Sequence, residues 1–298
     1  MDKQTLSYVY AVAAVLLWST VASVFKLTLQ VMRPIEMVLY ASFVSVMVLF
    51  GMLVWQKRLR QLRTWSRCDI LRSAFFGFLN PFLYYFILFK SYVLLPAQEA
   101  QALNFTWPIV LVLFSIVFLK QQIALKRVLA MMVSFVGVLV IATRGNIVAL
   151  EFTHTSGVIL ALGSALIWAM YWIGNLKDSC DPVARLFMNF VFGCVFVTGY
   201  VLVFDHIPMP PFQGLWGCLY VGLFEMGLTF LLWLRALQLS QTTDRVSSLI
   251  YVAPFLSLLF IYFIVGESIF PSTIVGLILI IAGIIAQHGQ SSTRPSLS

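Results

Sequence analysis

The chain has 298 residues, 61% of them apolar and only 10% charged, where ordinary soluble domains are about a quarter charged. That balance excludes a soluble globular protein, and the stretches between the apolar runs are too short for an aqueous domain. A formal charge of +8 would suit nucleic acid, but the broad water-facing surface that a nucleic-acid patch needs is missing.

Ten apolar runs follow one another at about the 20-residue length that crosses a bilayer: 8 to 28, 35 to 55, 70 to 90, 97 to 119, 127 to 143, 156 to 174, 183 to 204, 214 to 235, 246 to 265 and 270 to 287. The first opens as "MDKQTLSYVYAVAAVLLWST", a lysine ahead of an apolar stretch as in a secretory signal. Its full length and the spans behind it make an uncleaved first helix the expectation. Pro34 opens the second span, and the basic run "QKRLRQLRTWSR" behind it suits anionic headgroups. The third span carries Asn80 and Tyr84. The fourth carries Gln101, Asn104, Trp107, Pro108 and Ser115, and the sixth carries Trp168, Tyr171 and Trp172. Glu225 and Thr229 stand in the eighth, and Ser247, Tyr251, Pro254 and Tyr262 in the ninth.

Threading these spans with the N-terminus inside puts 15 of the 19 basic residues on the inner side, leaving only Lys26, Arg33, Lys90 and Arg144 outside. This bias sets the expected orientation: both termini cytoplasmic, with 291–298 as a short inner tail, in a plasma or bacterial inner membrane. Cys68 and Cys180 fall in inner loops and Cys194 and Cys218 in or near spans, so no disulfide, metal or cofactor is expected.

The chain also repeats itself. "NFTWPIVLVLFSIVFLKQQ" from Asn104 lies over "IYVAPFLSLLFIYFIVGES" from Ile250, with Pro108 on Pro254 and Gly137 on Gly283. "LLWS" around Trp18 matches "LIWA" around Trp168, and Pro34 and Pro182 each open the next span. The expected units are 1–148 and 149–290, five helices each. A five-helix unit that starts inside ends outside, so its copy must enter inverted, the arrangement of many secondary transporters with a site near the midplane. The fold class is therefore an all-α integral membrane protein of about ten transmembrane helices in two inverted five-helix repeats. Repetition by itself could equally be a stable way to build a bundle.

These paired segments, the "LLWS" opening and ten short-looped spans resemble the drug/metabolite transporter superfamily, specifically its EamA-type exporters. The resemblance covers nearly the whole chain. The family's Gly-Glu at the end of a repeat's fourth helix stands as Gly266-Glu267, whereas the first half has Lys120-Gln121. What the resemblance implies is transport; the superfamily's substrates include amino acids, nucleotide sugars, drugs and vitamins.

Aligning "NPFLYYFILFK" with "EMGLTFLLWLR" places Asn80 on Glu225, Tyr84 on Thr229 and Lys90 on Arg235. Residues four apart share a helix face, so Asn80 with Tyr84 and Glu225 with Thr229 form two expected polar stripes facing each other. A carboxylate at mid-membrane costs about 2.5 to 3.5 kcal/mol on insertion scales. Glu225 is expected either to bind a proton or a cationic substrate group, or to lock two helices as a structural partner. Pro108 and Pro254 each remove a backbone bond, which suits paired bends beside a central cavity or simple packing kinks. Trp18, Trp107, Trp168, Tyr171 and Trp172 could hold a flat or apolar group by stacking, although each alone reads as packing. Glu36, Glu99 and Glu267 near outer ends fit helix capping or solvation, and Lys26 and Lys90 snorkelling to the outer interface.

A membrane enzyme fits poorly. His154, His206 and His288 are scattered, no H-E-x-x-H occurs, no aspartate lies deep in a span, and there is no phosphate loop. A non-transporting scaffold or a passive channel remains as the alternative, although a channel calls for repeated polar rings. The expected function is secondary transport, with export the expected direction, of small metabolites such as amino acids or related compounds. Access would alternate as the halves rock, driven by the substrate gradient or by protons, with the bilayer and the small molecule as partners.

Overall fold

The computed structural model describes residues 2–107, 109–110, 113–114, 125–147, 154–176, 180–204, 210–240 and 248–288. Among them every regular element is helical. In chain order they are α1 (Lys3–Thr28), α2 (Pro34–Trp55), α3 (Arg67–Gly77), α4 (Tyr84–Leu94), α5 (Ala97–Asn104), α6 (Leu125–Ala142), α7 (Thr155–Leu176), α8 (Pro182–Phe204), α9 (Phe212–Tyr220), α10 (Thr229–Leu239), α11 (Ala253–Phe260) and α12 (Pro271–His288). Six stretches are long and apolar enough to cross a membrane, including Arg67–Leu94 and Phe212–Trp233, each of which runs through two of these helices. Met132–Ala142, Ala253–Val265 and Pro271–Ala286 are shorter apolar helices. Nine of the ten expected spans are thus helical to within a few residues. The fourth starts as α5, and most of its remainder lies outside the described residues.

Local chemistry sets the helix starts. The Asp2 carboxylate accepts from the Thr5 amide at 2.6 Å, and Ser66 and Asp69 form a reciprocal capping box at the head of α3. Both satisfy donors that a helix N-terminus leaves free. Pro34 enters α2 in the first turn, where a missing N–H costs nothing.

Packing follows the repeat. Helix α1 lies on α10 and α11, and its repeat mate α7 lies on α4 and α5. Helix α2 packs against α8, and α6 against α12. Four glycines show how closely these pairs approach. A Cβ on Gly77 would stand 2.4 Å from the Asn189 carbonyl oxygen of α8, and one on Gly222 would stand 2.5 Å from the Ala41 carbonyl oxygen of α2. Likewise Gly137 meets the Gly276 carbonyl oxygen at 2.5 Å while Gly283 meets the Ala130 carbonyl oxygen at 2.5 Å. Gly222 lies 145 residues after Gly77, Asn189 lies 148 after Ala41, and Gly283 and Gly276 each lie 146 after Gly137 and Ala130. Each contact therefore recurs with its partners exchanged, as a two-fold relation requires. Small residues of this kind let helix backbones touch where no hydrophobic drive exists between helix and lipid.

The direction of the helices agrees with the threading. Along α6 and α12 contact numbers run oppositely, from Gly137 with Gly276 to Ala130 with Gly283, so the pair is antiparallel. Ser7 donates to the Ala236 carbonyl and Thr20 bonds Tyr220, which makes α1 antiparallel to the Phe212–Trp233 span. Alternate crossing accounts for both.

Candidate functional site

The two copies of the third span break their helices at the same place. Phe78–Leu83 is kinked and Val221–Leu228 is a π-helical segment, and they contain the aligned residues Asn80 and Glu225. Wide π turns are rare and concentrate at functional sites. In the first, Asn80 leaves helical geometry at φ −148°, ψ 120° ahead of Pro81. In the second, the Thr229 hydroxyl donates to the Phe224 carbonyl of its own turn, and Thr229, like Glu225, is buried.

Glu225 is 6% exposed. Its Oε1 accepts from the Tyr85 hydroxyl at 3.0 Å, the Trp18 indole also bears on the carboxylate, and Oε2 has no hydrogen-bond partner in the structure. The hydrogen bond to the carboxylate comes from Tyr85, the neighbour of the expected Tyr84, whose ring packs against it at 4.7 Å. Asn80 is completely buried and neither atom of its amide has a partner.

Around Glu225 the aromatic residues collect into one cluster. Tyr84 packs on Trp168 with ring centroids 4.7 Å apart, and Trp168 meets Tyr171, Trp172 and Phe230 at 6.3, 5.9 and 5.5 Å. Phe230 lies parallel to Trp172 and edge-on to Trp18, which also touches Trp233. The repeat mates Trp18 and Trp168 thus reach the same Phe230 from α1 and α7. A polar string borders the rings. Tyr84 donates to Asn104 Oδ1 at 3.4 Å, Asn104 donates to the Ser164 hydroxyl at 2.8 Å, and Asn189 donates to the Tyr171 hydroxyl at 3.1 Å.

Other expected residues sit elsewhere or serve other ends. Gln101 accepts from the Tyr92 hydroxyl at 2.8 Å, and Trp107 packs half-buried at the margin of the core. Pro254 stands in the first turn of α11, directly after the 3-10 turn Ser248–Val252, so it opens a helix and does not interrupt one. Pro108, Ser115, Lys120, Gln121 and Ser247 lie outside the described residues, as does the side chain of Tyr251. Tyr85, Phe230, Ser164, Asn189 and Trp233 are the cluster members that sequence reasoning missed. All but Asn189 lie within about one helical turn of residues that were found; Tyr85 was hidden behind the repeat alignment to Tyr84, and Ser164 and Asn189 were polar signals in apolar spans that were passed over.

At the expected outer end the loops are stitched together. Glu267 Oε1 accepts from the Ala97 amide at 3.0 Å, capping α5 from the other half, while Gln98 donates to the Ser268 carbonyl and accepts from the Phe270 amide, each at 2.8 Å. Glu99 stands in the first turn of α5, as its helix-dipole reading expects, but it is fully buried and pairs with Arg144 at 2.7 Å, so it is not solvated. Lys26 donates to the Tyr92 and Leu95 carbonyls and is half-buried rather than extended to the interface. Lys90 lies over the Phe86 ring. At the opposite end Arg185 donates to Ser73 and to Asp69, and Arg58 pairs with Asp181.

The sequence matches the model of the EamA-like transporter family twice, over residues 5–143 and 155–286. A Clostridium kluyveri protein named "Uncharacterized transporter" is 22% identical, covering 97% of this chain and 95% of its own. Two Bacillus subtilis proteins are similar: "Uncharacterized transporter YvbV" at 26% identity over 80% of this chain and 76% of its own, and "Uncharacterized transporter YoaV" at 22% over 95% and 97%. A solved crystal structure shares the fold with a TM-score of 0.67 at 17% identity, covering 96% of this chain and 97% of its own.

Proposed function

Because the chain belongs to the EamA-like transporter family, we propose that it carries small amino-acid-like or related metabolites outward across a bacterial inner membrane by alternating access, with both termini cytoplasmic. The units are 1–148 and 149–290, and their interface holds the site. The observation that carries this reading is Glu225: a buried carboxylate with one oxygen unpartnered, set at a π-helical break and walled by aromatic rings from both halves. Such a residue is expensive to keep in a membrane and is functional by default. Glu225 takes a proton or a cationic group in turn, and the polar string through Asn104 and Ser164 orients the rest of the cargo.

Support for rocking comes from the exchanged contacts of the two halves, which give each a matching surface on which to move. The test is counterflow in proteoliposomes loaded with a panel of labelled amino acids and related metabolites. A carrier gives saturable, transiently uphill exchange for at least one of them; leak that rises linearly with concentration indicates a channel, and no flux indicates a scaffold.

A further inference from the structure

Oε2 of Glu225 is unpartnered, and among the described residues no cation pairs with it. Among the described basic side chains, Lys26 is committed to the Tyr92 and Leu95 carbonyls, Arg144 to Glu99 and Arg185 to Ser73 and Asp69, while Arg235 is exposed. Each of these partners lies near an end of the bundle. What surrounds the carboxylate is instead aromatic, and ring faces attract cations and offer nothing to anions. The Trp172 indole N–H of the same aromatic cluster is also unpartnered, a neutral group that can serve a hydroxyl or carbonyl oxygen but cannot balance a carboxylate in a site of low dielectric.

We propose that this cluster selects an organic amine with a flat apolar body: the ammonium on Glu225, the body against Trp168, Trp172 and Phe230, and Trp18 closing the carboxylate side. The proposal rests on the carrier reading and narrows it. An amino acid of the same body brings a carboxylate that would sit in the same aromatic walls with no positive partner, and the corresponding acid would add a like charge beside Glu225. Both are disfavoured relative to the amine, because an unpaired charge taken from water loses its hydration without replacement. The discrimination is thus built from what the walls lack as much as from Glu225 itself.

The experiment uses the full chain purified in detergent and three probes that share one ring: phenethylamine, phenylalanine and 3-phenylpropionate. Binding is read by ligand-dependent thermal unfolding and by quenching of the clustered indole fluorescence. Phenethylamine is expected to bind at least tenfold more tightly than either of the others, and Glu225→Gln is expected to erase that tenfold advantage while eluting as a monodisperse protein. If Glu225→Gln does not fold, Glu225→Asp, which keeps the charge and shortens its reach, is read in its place and retains the order of the three probes with weaker binding. Equal or tighter binding of phenylalanine or 3-phenylpropionate overturns the proposal, as does no binding of phenethylamine to folded wild type. Binding of the amine without counterflow removes the carrier reading and leaves the selectivity standing. Counterflow of amino acids that phenethylamine does not inhibit does the reverse.

Discussion

The two third spans are the same device with different contents. In both, the helix departs from α geometry beside a glycine that touches a neighbouring backbone, by a kink at Asn80 after Gly77 on α8 and by a π segment that includes Gly222 on α2. The first copy puts an asparagine in the break with neither amide atom partnered; the second puts a glutamate there, held on one oxygen by Tyr85. Duplication therefore supplies the backbone opening and its packing, and divergence supplies the charge. The comparison teaches that symmetry in this fold belongs to the glycines, and chemistry to the residue three positions beyond each.

The sharpest way to break the comparison is to equalise the contents. Glu225→Gln makes both breaks neutral amides, and counterflow is expected to fall about 100-fold, equivalent to roughly 3 kcal/mol of charge-assisted interaction. Asn80→Ala removes a group with no partner, and the unfolding temperature in detergent should move by no more than about 1 kcal/mol would cause. Next come the glycines. Gly77→Val and Gly222→Val each force a side chain into a backbone oxygen, and each is expected to cost about 1–3 kcal/mol of stability, seen as a lower thermal midpoint. Similar losses at the two positions sharpen the symmetry, and a loss at only one of them breaks it.

A smaller contrast separates the adjacent tyrosines. Tyr85→Phe removes the hydrogen bond to the buried Glu225 carboxyl, an expected loss of about 1.5 kcal/mol, whereas Tyr84→Phe removes a bond 3.4 Å long and is expected to cost about 0.5 kcal/mol. Thermal unfolding and KM in counterflow should both rank the two variants in that order. The smallest effect is at the outer end, where Glu267→Ala removes the cap on α5 for about 1 kcal/mol. Faster hydrogen exchange at the Ala97 and Gln98 amides, with exchange at the opposite end unchanged, checks it.

How legible was this in the sequence? The spans were, because an apolar run of bilayer length has one economical conformation, and described helix ends fall within a few residues of their expected places. Trp18, Trp168, Tyr171 and Trp172 were legible as a group and do come together. The choice between Tyr84 and Tyr85 was not. The alignment of Asn80 with Glu225 assumes a regular helix when it assigns a face, whereas the helix is kinked at Asn80, so the residues beyond it do not keep the face expected of them. Glu99 and Arg144 are 45 residues apart, and nothing local in either stretch announces that loops will meet.

The central claim is that Glu225 is the working group of this carrier and Asn80 its silent mate. The most direct measurement is counterflow in proteoliposomes at several imposed pH gradients, comparing wild type, Glu225→Gln and Asn80→Ala. The account predicts saturable flux that follows the proton gradient in wild type and Asn80→Ala and is lost in Glu225→Gln. Flux that survives Glu225→Gln and ignores the gradient would contradict it, and would make the glutamate a packing residue in a facilitator.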